Sequence, residues 1–436
     1  MLAHKNKYKS KNKLICILLD SFRWDYINPI DTPFLYEKIE ESIYAKQLIT
    51  TQGFTQRTAI LTGCDSSKTK LYSAYIFKNN SSKFKKDKTI FNFIDHLNWY
   101  PDKVKKILKF KVLGKLINKF NSLLLNKRIY DSNKDKSNLD QLPSICIPIR
   151  LLSKIDLAED KDPIWLEGGC PVESIFDVMI KNNINYDYLM WPRTKSESDE
   201  EIHELINSSN GEFILAQFSA VDYVAHEYGP QSIETRKISA EIDRKLREIY
   251  QNYQNKANFI IFGDHGMTPV HKYINIWEIS MTIARKYKFK IGKDFLIFLD
   301  STVARYKWIN QKACIIKEEL KKNIEISEKG FWLTKKMAKD KKIELGSNYG
   351  DDFWCANNGV LIYPDFFHPL SEKNKGMHGY VNNIKSSNSF GMIFGKNIKN
   401  FYEVKRKATL LDLAPTISDL LKIRHPSSNM GKSLIE

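Results

Sequence analysis

Leu14-Ile15-Cys16-Ile17-Leu18-Leu19 runs directly into Asp20-Ser21-Phe22-Arg23. A continuous apolar run of this kind is what a strand buried on both faces of a parallel sheet requires. A carboxylate at its carboxyl end sits where open α/β sheets place their active sites. The pattern recurs twice. Phe213–Phe218 runs into Ser219-Ala220-Val221-Asp222, and residues 258–262 run into Gly263-Asp264-His265-Gly266. Three such strand ends predict an α/β fold with a mostly parallel sheet and polar residues gathered along one edge.

Helical patterns lie between these strands. Residues 55–61 follow a Thr/Gly-rich turn and read as a short helix. Residues 171–181 read as a helix with Pro171 at its start, and residues 186–191 as a strand. Residues 232–253 form a long charged amphipathic pattern after Gly229-Pro230. Residues 408–421 read as a last helix, in which Pro415 marks a kink or break. The stretch 131–162, rich in Lys, Asp, Asn and Ser, reads as loops. The expectation is one domain over 14–436, with insertions at about 85–165 (basic, helical) and about 280–355 (a cap), and no internal repeat.

Composition narrows the class. With 436 residues, 42% hydrophobic and 27% charged, the chain can bury a sizeable core, so global disorder is excluded. The net charge of +17 is concentrated. Residues 1–13 carry five lysines and no acid, 83–88 carry four lysines around Asp87, and 102–128 carry nine basic residues and one acid. The other segments are nearly neutral in sum, unlike the uniform positive surface of a nucleic-acid coat. No nucleic-acid module accompanies the charge, so no nucleic acid is expected as a partner.

Segment 102–128 carries two apolar stripes at helical spacing. Val104, Ile107, Leu108 and Val112 make one; Leu113, Leu116, Ile117, Phe120 and Leu124 make the next. It reads either as a helical hairpin packed on the core or as an interfacial helix on anionic lipid. The six cysteines contain no CxxC pair, which favours free thiols in a reducing compartment. The apolar run before Asp20 is too short for a signal peptide, and no run approaches the ~20 residues of a membrane span. The expectation is a cytoplasmic chain, with peripheral contact to the inner face of a membrane through 102–128 as the further reading.

Six residues carry the chemistry: Asp20, Asp222, His226, Asp264, His265 and His378. Asp and His supply the hard oxygen and borderline nitrogen donors that suit Zn²⁺ or Mn²⁺. Six donors divide into two sets of three, and two cations ~3.5–4 Å apart can clamp the attacking and leaving oxygens of a phosphoryl displacement. The bland alternatives are a strand-end Asp acting as a cap and Asp222-x-x-x-His226 as a solvated helix pair. Glycines flank both Asp264-His265 and Gly376-Met377-His378-Gly379, which lets the backbone bend sharply around ligands. The other histidines, His4, His96, His203, His271, His368 and His425, read as surface or structural.

The order and surroundings of these residues resemble the alkaline phosphatase superfamily, nearest its type I phosphodiesterase/nucleotide pyrophosphatase branch. The matching segments begin with Leu18-Leu19-Asp20-Ser21-Phe22-Arg23 and Ala59-Ile60-Leu61-Thr62-Gly63. They continue with Asp222-Tyr223-Val224-Ala225-His226-Glu227-Tyr228-Gly229 and Phe262-Gly263-Asp264-His265-Gly266-Met267. Gly376-Met377-His378-Gly379-Tyr380 and Asp412-Leu413-Ala414-Pro415-Thr416 complete them, all in the family's order. Leu189-Met190-Trp191-Pro192 also resembles a core strand end of that family. The resemblance implies a three-layer α/β sandwich with a mostly parallel central sheet and inserted cap segments. It implies two divalent cations, Zn²⁺ or else Mn²⁺, one held by Asp222, His226 and His378 and the other by Asp20, Asp264 and His265. It implies hydrolysis of a phosphodiester or pyrophosphate bond in a phosphate-containing small molecule; the interfacial reading of 102–128 would make the substrate lipid-linked instead.

The nucleophile departs from the family's pattern. Counting ten residues back from Gly63 lands on Gly53, which has no side chain. Thr55 is the nearest hydroxyl at the start of the helix, with Thr51 and Thr50 upstream. Thr55 is favoured because a helix N-terminus receives anions; its alternative role is an ordinary N-cap. Arg57 is the candidate substrate contact. The family's phosphate-binding Asn is not evident in Leu71-Tyr72-Ser73-Ala74-Tyr75. A phosphomonoesterase, a phospho-group transferase and a metal-binding pseudoenzyme lacking its nucleophile stay open as alternatives.

Overall fold

A computed structural model describes residues 13–78, 147–148, 151, 154–158, 163–190, 198–343, 345–346, 348–368, 373–382 and 384–435. The basic segments 1–12, 83–88 and 102–128, most of the insertion predicted at 85–165, and Trp191-Pro192 lie outside the described residues. The main sheet is built from β1 (Lys13–Leu19), β2 (Ile43–Ile49), β3 (Tyr186–Leu189), β4 (Phe213–Phe218), β5 (Ala257–Gly263), β6 (Ser389–Gly395) and β7 (Tyr402–Glu403). Their order is β7-β2-β6-β5-β1-β4-β3, and the short strand Ala408–Thr409 makes an eighth, pairing with β2. Only β6 runs against its neighbours; the other pairings are parallel.

Alternation along β1 makes three layers. Leu14, Cys16 and Leu18 face one core, with Ile60 and Leu61 of α1 (Gln56–Thr62) and Leu413 and Ile417 of the last helix. Ile15, Ile17 and Leu19 face the other, with Ile242, Leu246 and Ile249 from the long helix Ile233–Tyr253. Both faces of the strand are thereby covered by helices, which is why its sequence is apolar without interruption. Each of these fully buried aliphatic side chains contributes ~1.5–3 kcal/mol to holding the strand between its two helical layers.

Two predicted helices differ in detail. The helix expected from Pro171 begins at Ile175, because Ser174 and Asp177 form a reciprocal capping box there. The last helix spans Leu413–Leu421, after the strand Ala408–Thr409 and one turn of 3-10 helix. Pro415 falls in its first turn, where the missing N–H has no intrahelical partner to lose, so it produces no break.

A second, antiparallel sheet lies within 295–356. Its strands Phe295–Asp300, Val303–Trp308, Asp352–Ala356 and Gly330–Trp332 follow one another in that order. Its turn, Asp300-Ser301-Thr302, is fully buried and points toward the main sheet's active edge through hydrogen bonds to Ser73 and Gly379.

Candidate active site

Parallel pairing in the order β5-β1-β4 brings the carboxyl ends of three adjacent strands to one edge. Asp20 follows β1 and Asp264 follows β5. Asp222 lies in the first turn of α2 (Ala220–Tyr228), which follows β4. His226 stands one turn further along α2, so its Nε2 lies 3.3 Å from Asp222 Oδ1. His378 arrives on Gly376–Met377, which pairs with Thr268–Pro269 just beyond Gly263-Asp264-His265-Gly266. Its ring stacks on that of His265 with centroids 3.9 Å apart. All six residues chosen from the sequence therefore meet in one cluster.

The cluster contains two donor groups. The ligand atoms of Asp222, His226 and His378 lie within 4.8 Å of one another, and so do those of Asp20, Asp222 and His265. The second group differs from the expected Asp20, Asp264 and His265. Asp264 Oδ1 accepts the backbone N–H groups of Ser21 and His265, while Oδ2 stands 3.5 Å from His265 Nε2. Asp222 is thus common to both groups, with Asp264 beside the second.

Backbone carbonyls set the imidazole tautomers. Gly376 O lies 2.8 Å from His226 Nδ1, and Gly266 O lies 3.0 Å from His265 Nδ1. A carbonyl only accepts, so each Nδ1 carries a proton and each Nε2 is turned toward the carboxylates. His226 Nε2 faces Asp222, while His265 Nε2 faces Asp20 at 3.4 Å as well as Asp264. Either a second proton or a cation has to sit between such partners. His378 Nδ1 is buried and makes no hydrogen bond among the described residues.

The electrostatics point the same way. Burial, then the nearby charges of Asp264 and Asp222, pushes Asp20 well above the usual carboxylate range. Burial also raises Asp264, against the pull of His265. Asp222 moves down despite its burial, because His226, His378 and His265 surround it. Burial and the neighbouring His265 hold His378 well below the usual imidazole value. Three carboxylates and three imidazoles crowded into a buried edge suit divalent cations with oxygen and nitrogen ligands.

The loop that carries Thr50, Thr51 and Thr55 runs from the end of β2 to α1. Gly53 has φ 84°, and a Cβ there would lie 1.9 Å from the Tyr72 carbonyl oxygen, so no side chain fits. The glycine is a close-approach residue, held to that identity by the Tyr72 backbone. Thr55 is the buried N-cap residue of α1, yet its side chain makes no cap hydrogen bond. The hydroxyls of Thr50 and Thr51 are buried without hydrogen-bond partners among the described residues. Phe54 packs edge-on to His378, with centroids 5.8 Å apart. Arg57 reaches Gln217 Oε1 at 3.5 Å, and Gln217 donates to Asp20 Oδ2 at 2.6 Å. The first turn of α1 thus borders the cluster.

Sequence reasoning missed several members. Ser21 lies inside the cluster, and Gln217 orients Asp20 from the last turn of β4. Asn374 Nδ2 lies 3.3 Å from His226 Nδ1. His368, read as surface or structural, stands with its ring 5.8 Å from that of His226, and its Nδ1 is 2.8 Å from the buried Asp365. The Asp365-x-x-His368 spacing was the one signal that marked this pair.

Fold and cluster together define a class: three-layer α/β proteins that gather aspartates and histidines at the carboxyl edge of a mostly parallel sheet. Within that class, the chain belongs to the type I phosphodiesterase / nucleotide pyrophosphatase family, whose model matches residues 14–380. It is 24% identical over 253 residues to alkaline phosphatase PafA of Elizabethkingia meningoseptica, covering 52% of this chain and 45% of that one. It is 23% identical over 269 residues to human ectonucleotide pyrophosphatase/phosphodiesterase family member 7, covering 60% and 49%. These matches span about half the length of the curated relatives. Among solved structures, human ectonucleotide pyrophosphatase / phosphodiesterase 5 aligns with TM-score 0.62 and 18% identity, over 95% of this chain and 96% of that one. An inactive threonine-to-alanine variant of the murine protein in complex with AMP aligns with the same TM-score at 14% identity, over the same shares of the two chains.

Proposed function

We propose that the chain is a hydrolase that cleaves a phosphodiester or pyrophosphate bond, with Thr55 as nucleophile and two divalent cations, Zn²⁺ or Mn²⁺, in the Asp/His cluster. The observation that carries this reading is the pair of donor groups sharing Asp222. Asp222, His226 and His378 would hold one cation; Asp20 and His265, with Asp264 beside them, would hold the other. Bound there, the cations would supply the positive charge that acidifies a hydroxyl and stabilises a leaving oxygen. Thr55 attacks phosphorus opposite the leaving group, forming a phospho-threonine that water then hydrolyses. Arg57 orients the phosphate oxygens, and the carbonyls of Gly376 and Gly266 hold His226 and His265 in their ligating tautomers.

The inactivity of a threonine-to-alanine relative supports a threonine nucleophile. The experiment is hydrolysis of bis(4-nitrophenyl) phosphate with added Zn²⁺ or Mn²⁺, expected to disappear in Asp264→Ala. Metal-loaded protein that turns over no diester, monoester or pyrophosphate would refute the reading. A relative named alkaline phosphatase favours monoesters as the second reading. A 28% match over 69 residues to human GPI ethanolamine phosphate transferase 3, catalytic subunit, keeps group transfer to a lipid-linked acceptor beside it. Comparing monoester with diester rates separates these. A reducing, cytoplasmic setting belongs to the same proposal, since Cys16, Cys64, Cys170, Cys314 and Cys355 are all free. Contact with an anionic membrane through 102–128 belongs to it too. Among the described residues, no helix is long and apolar enough to cross a membrane.

A further inference from the structure

Ser21 stands between the two donor groups. It directly follows Asp20 and is fully buried. Its φ of 58° lies in the left-handed region, which L side chains other than Asn and Asp seldom adopt. The backbone there is unfavourable for a serine, so glycine would relieve it. That hydroxyl lies 2.5 Å from Asp222 Oδ1 and 3.1 Å from His265 Nδ1.

The donor directions follow from chemistry already described. His265 Nδ1 carries its proton, because Gly266 O can only accept, so it also donates toward Ser21 Oγ. The Ser21 hydroxyl is left to donate to Asp222 Oδ1. This is the oxygen that His226 Nε2 and His378 Nε2 face at 3.3 and 3.9 Å. A continuous path therefore runs from His265, in one donor group, through Ser21 to Asp222, which belongs to both.

We propose that Ser21 is a positioning residue that couples the two donor groups, so that a cation in one prepares the other for its own. The inference rests on the metal-binding reading above. Ligation at His265 Nε2 draws charge from the ring and strengthens Nδ1–H as a donor. The better-bound Ser21 oxygen makes its own O–H a stronger donor, which fixes the rotation of Asp222. The second cation then meets a preorganised carboxylate, and the two ions bind with positive cooperativity.

The test is calorimetric titration of the metal-free full chain with Zn²⁺, comparing wild type with Ser21→Gly and Ser21→Ala. Glycine removes both hydroxyl and backbone strain; alanine removes the hydroxyl and keeps the strain. Wild type is expected to take up two ions cooperatively. Both variants should lose about 10-fold or more in affinity for the second ion and lose the cooperativity. Metal-free Ser21→Gly should melt no lower than wild type, which separates a coupling role from a merely structural one. Ser21→Gly binding within about twofold of wild type, with cooperativity intact, overturns the inference. So does a loss confined to Ser21→Ala, which would assign the effect to the backbone. Wild type that binds no ion brings down the proposed function as well; wild type that binds two, with variants alike, brings down this inference alone.

Discussion

Asp222 Oδ1 is where the cluster converges: one hydroxyl at 2.5 Å and two imidazole nitrogens at 3.3 and 3.9 Å surround it. Thr55 serves a different purpose, so the two residues should fail differently. Asp222→Asn should abolish uptake of both ions. Thr55→Ala should keep both ions but lower kcat by about a thousandfold or more, and Thr55→Ser should recover part of it; metal analysis beside diester kinetics checks this. The titrating groups give a second prediction. Asp20, Asp264 and His226 have raised values; for His226, the charge of Asp222 outweighs burial. Groups raised on folding stabilise at low pH and lose that contribution as pH rises through the folded value. Above pH ~7.5, one unit past the free imidazole value, the lowered Asp222 is ionised and the lowered His378 neutral in folded and unfolded chains alike. The metal-free protein should therefore lose thermal stability as pH climbs from about 7.5, and the Zn²⁺-loaded protein should lose less. Parallel melting curves across that range would contradict it. The six donors were legible because chemically unusual residues ended apolar strands or sat between glycines. Ser21 was not, because a serine after an aspartate looks like any turn, and its φ is invisible in sequence. Gly53 was opaque for a related reason: what forbids a side chain there is the Tyr72 carbonyl, which lies nearby only in the fold.

The turn of the second sheet shows how one element braces another. Asp300 accepts from Ser73 Oγ at 2.7 Å and pairs with Arg305, both fully buried. Arg305 Nη1 also donates to the carbonyls of Tyr75 and Tyr349 at 3.0 and 3.2 Å. These bonds fix the segment that carries the Tyr72 carbonyl, which accepts Phe54 N–H at 3.0 Å, one residue before Thr55. Two residues along the same turn, Thr302 Oγ1 donates to Gly379 O at 2.8 Å, next to His378. One turn thus braces both the loop that carries Thr55 and the loop that carries His378. Arg305→Ala leaves Asp300 as an uncompensated buried charge and should cost about 3–5 kcal/mol in denaturant unfolding. A cost under about 1 kcal/mol would mean that the pair is solvated or replaceable. Little of this brace was legible. The sequence marked 280–355 as inserted; Phe295–Asp300 carries an unbroken apolar run of its own, but its antiparallel partners are decided by the fold. The same limit hid β6, Ser-Phe-Gly-Met-Ile-Phe-Gly, where Gly391 interrupts the apolar run although the strand is paired on both sides within the sheet. Parallel strands β1, β4 and β5 were plain because burial on both faces leaves an unbroken apolar run.

Across the whole molecule, the charge and the chemistry occupy different parts of the chain. The cluster is made of three carboxylates and three imidazoles, so cations held there, rather than the +17 of the sequence, are what would draw a phosphate into it. The excess lysine belongs to residues 1–13, 83–88 and 102–128. In the last of these, nine basic residues accompany two apolar stripes, the composition that favours an anionic surface with an acyl interior beneath it. If that is the role of the segment, binding and catalysis are separable. The full chain should sediment with vesicles containing phosphatidylserine and not with phosphatidylcholine alone, and added salt should weaken the contact. Removing 102–128 should abolish sedimentation, with kcat/KM on a soluble diester kept within about threefold. Equal sedimentation with both vesicle types, or with the segment deleted, would return the charge to a solvated face. A collapse of soluble-diester turnover on deletion would instead make the segment part of the catalytic domain's packing. The separation follows from where the sequence puts each kind of residue: the aspartates and histidines of the cluster at or beyond apolar strand ends, the excess lysines in three other segments of the chain.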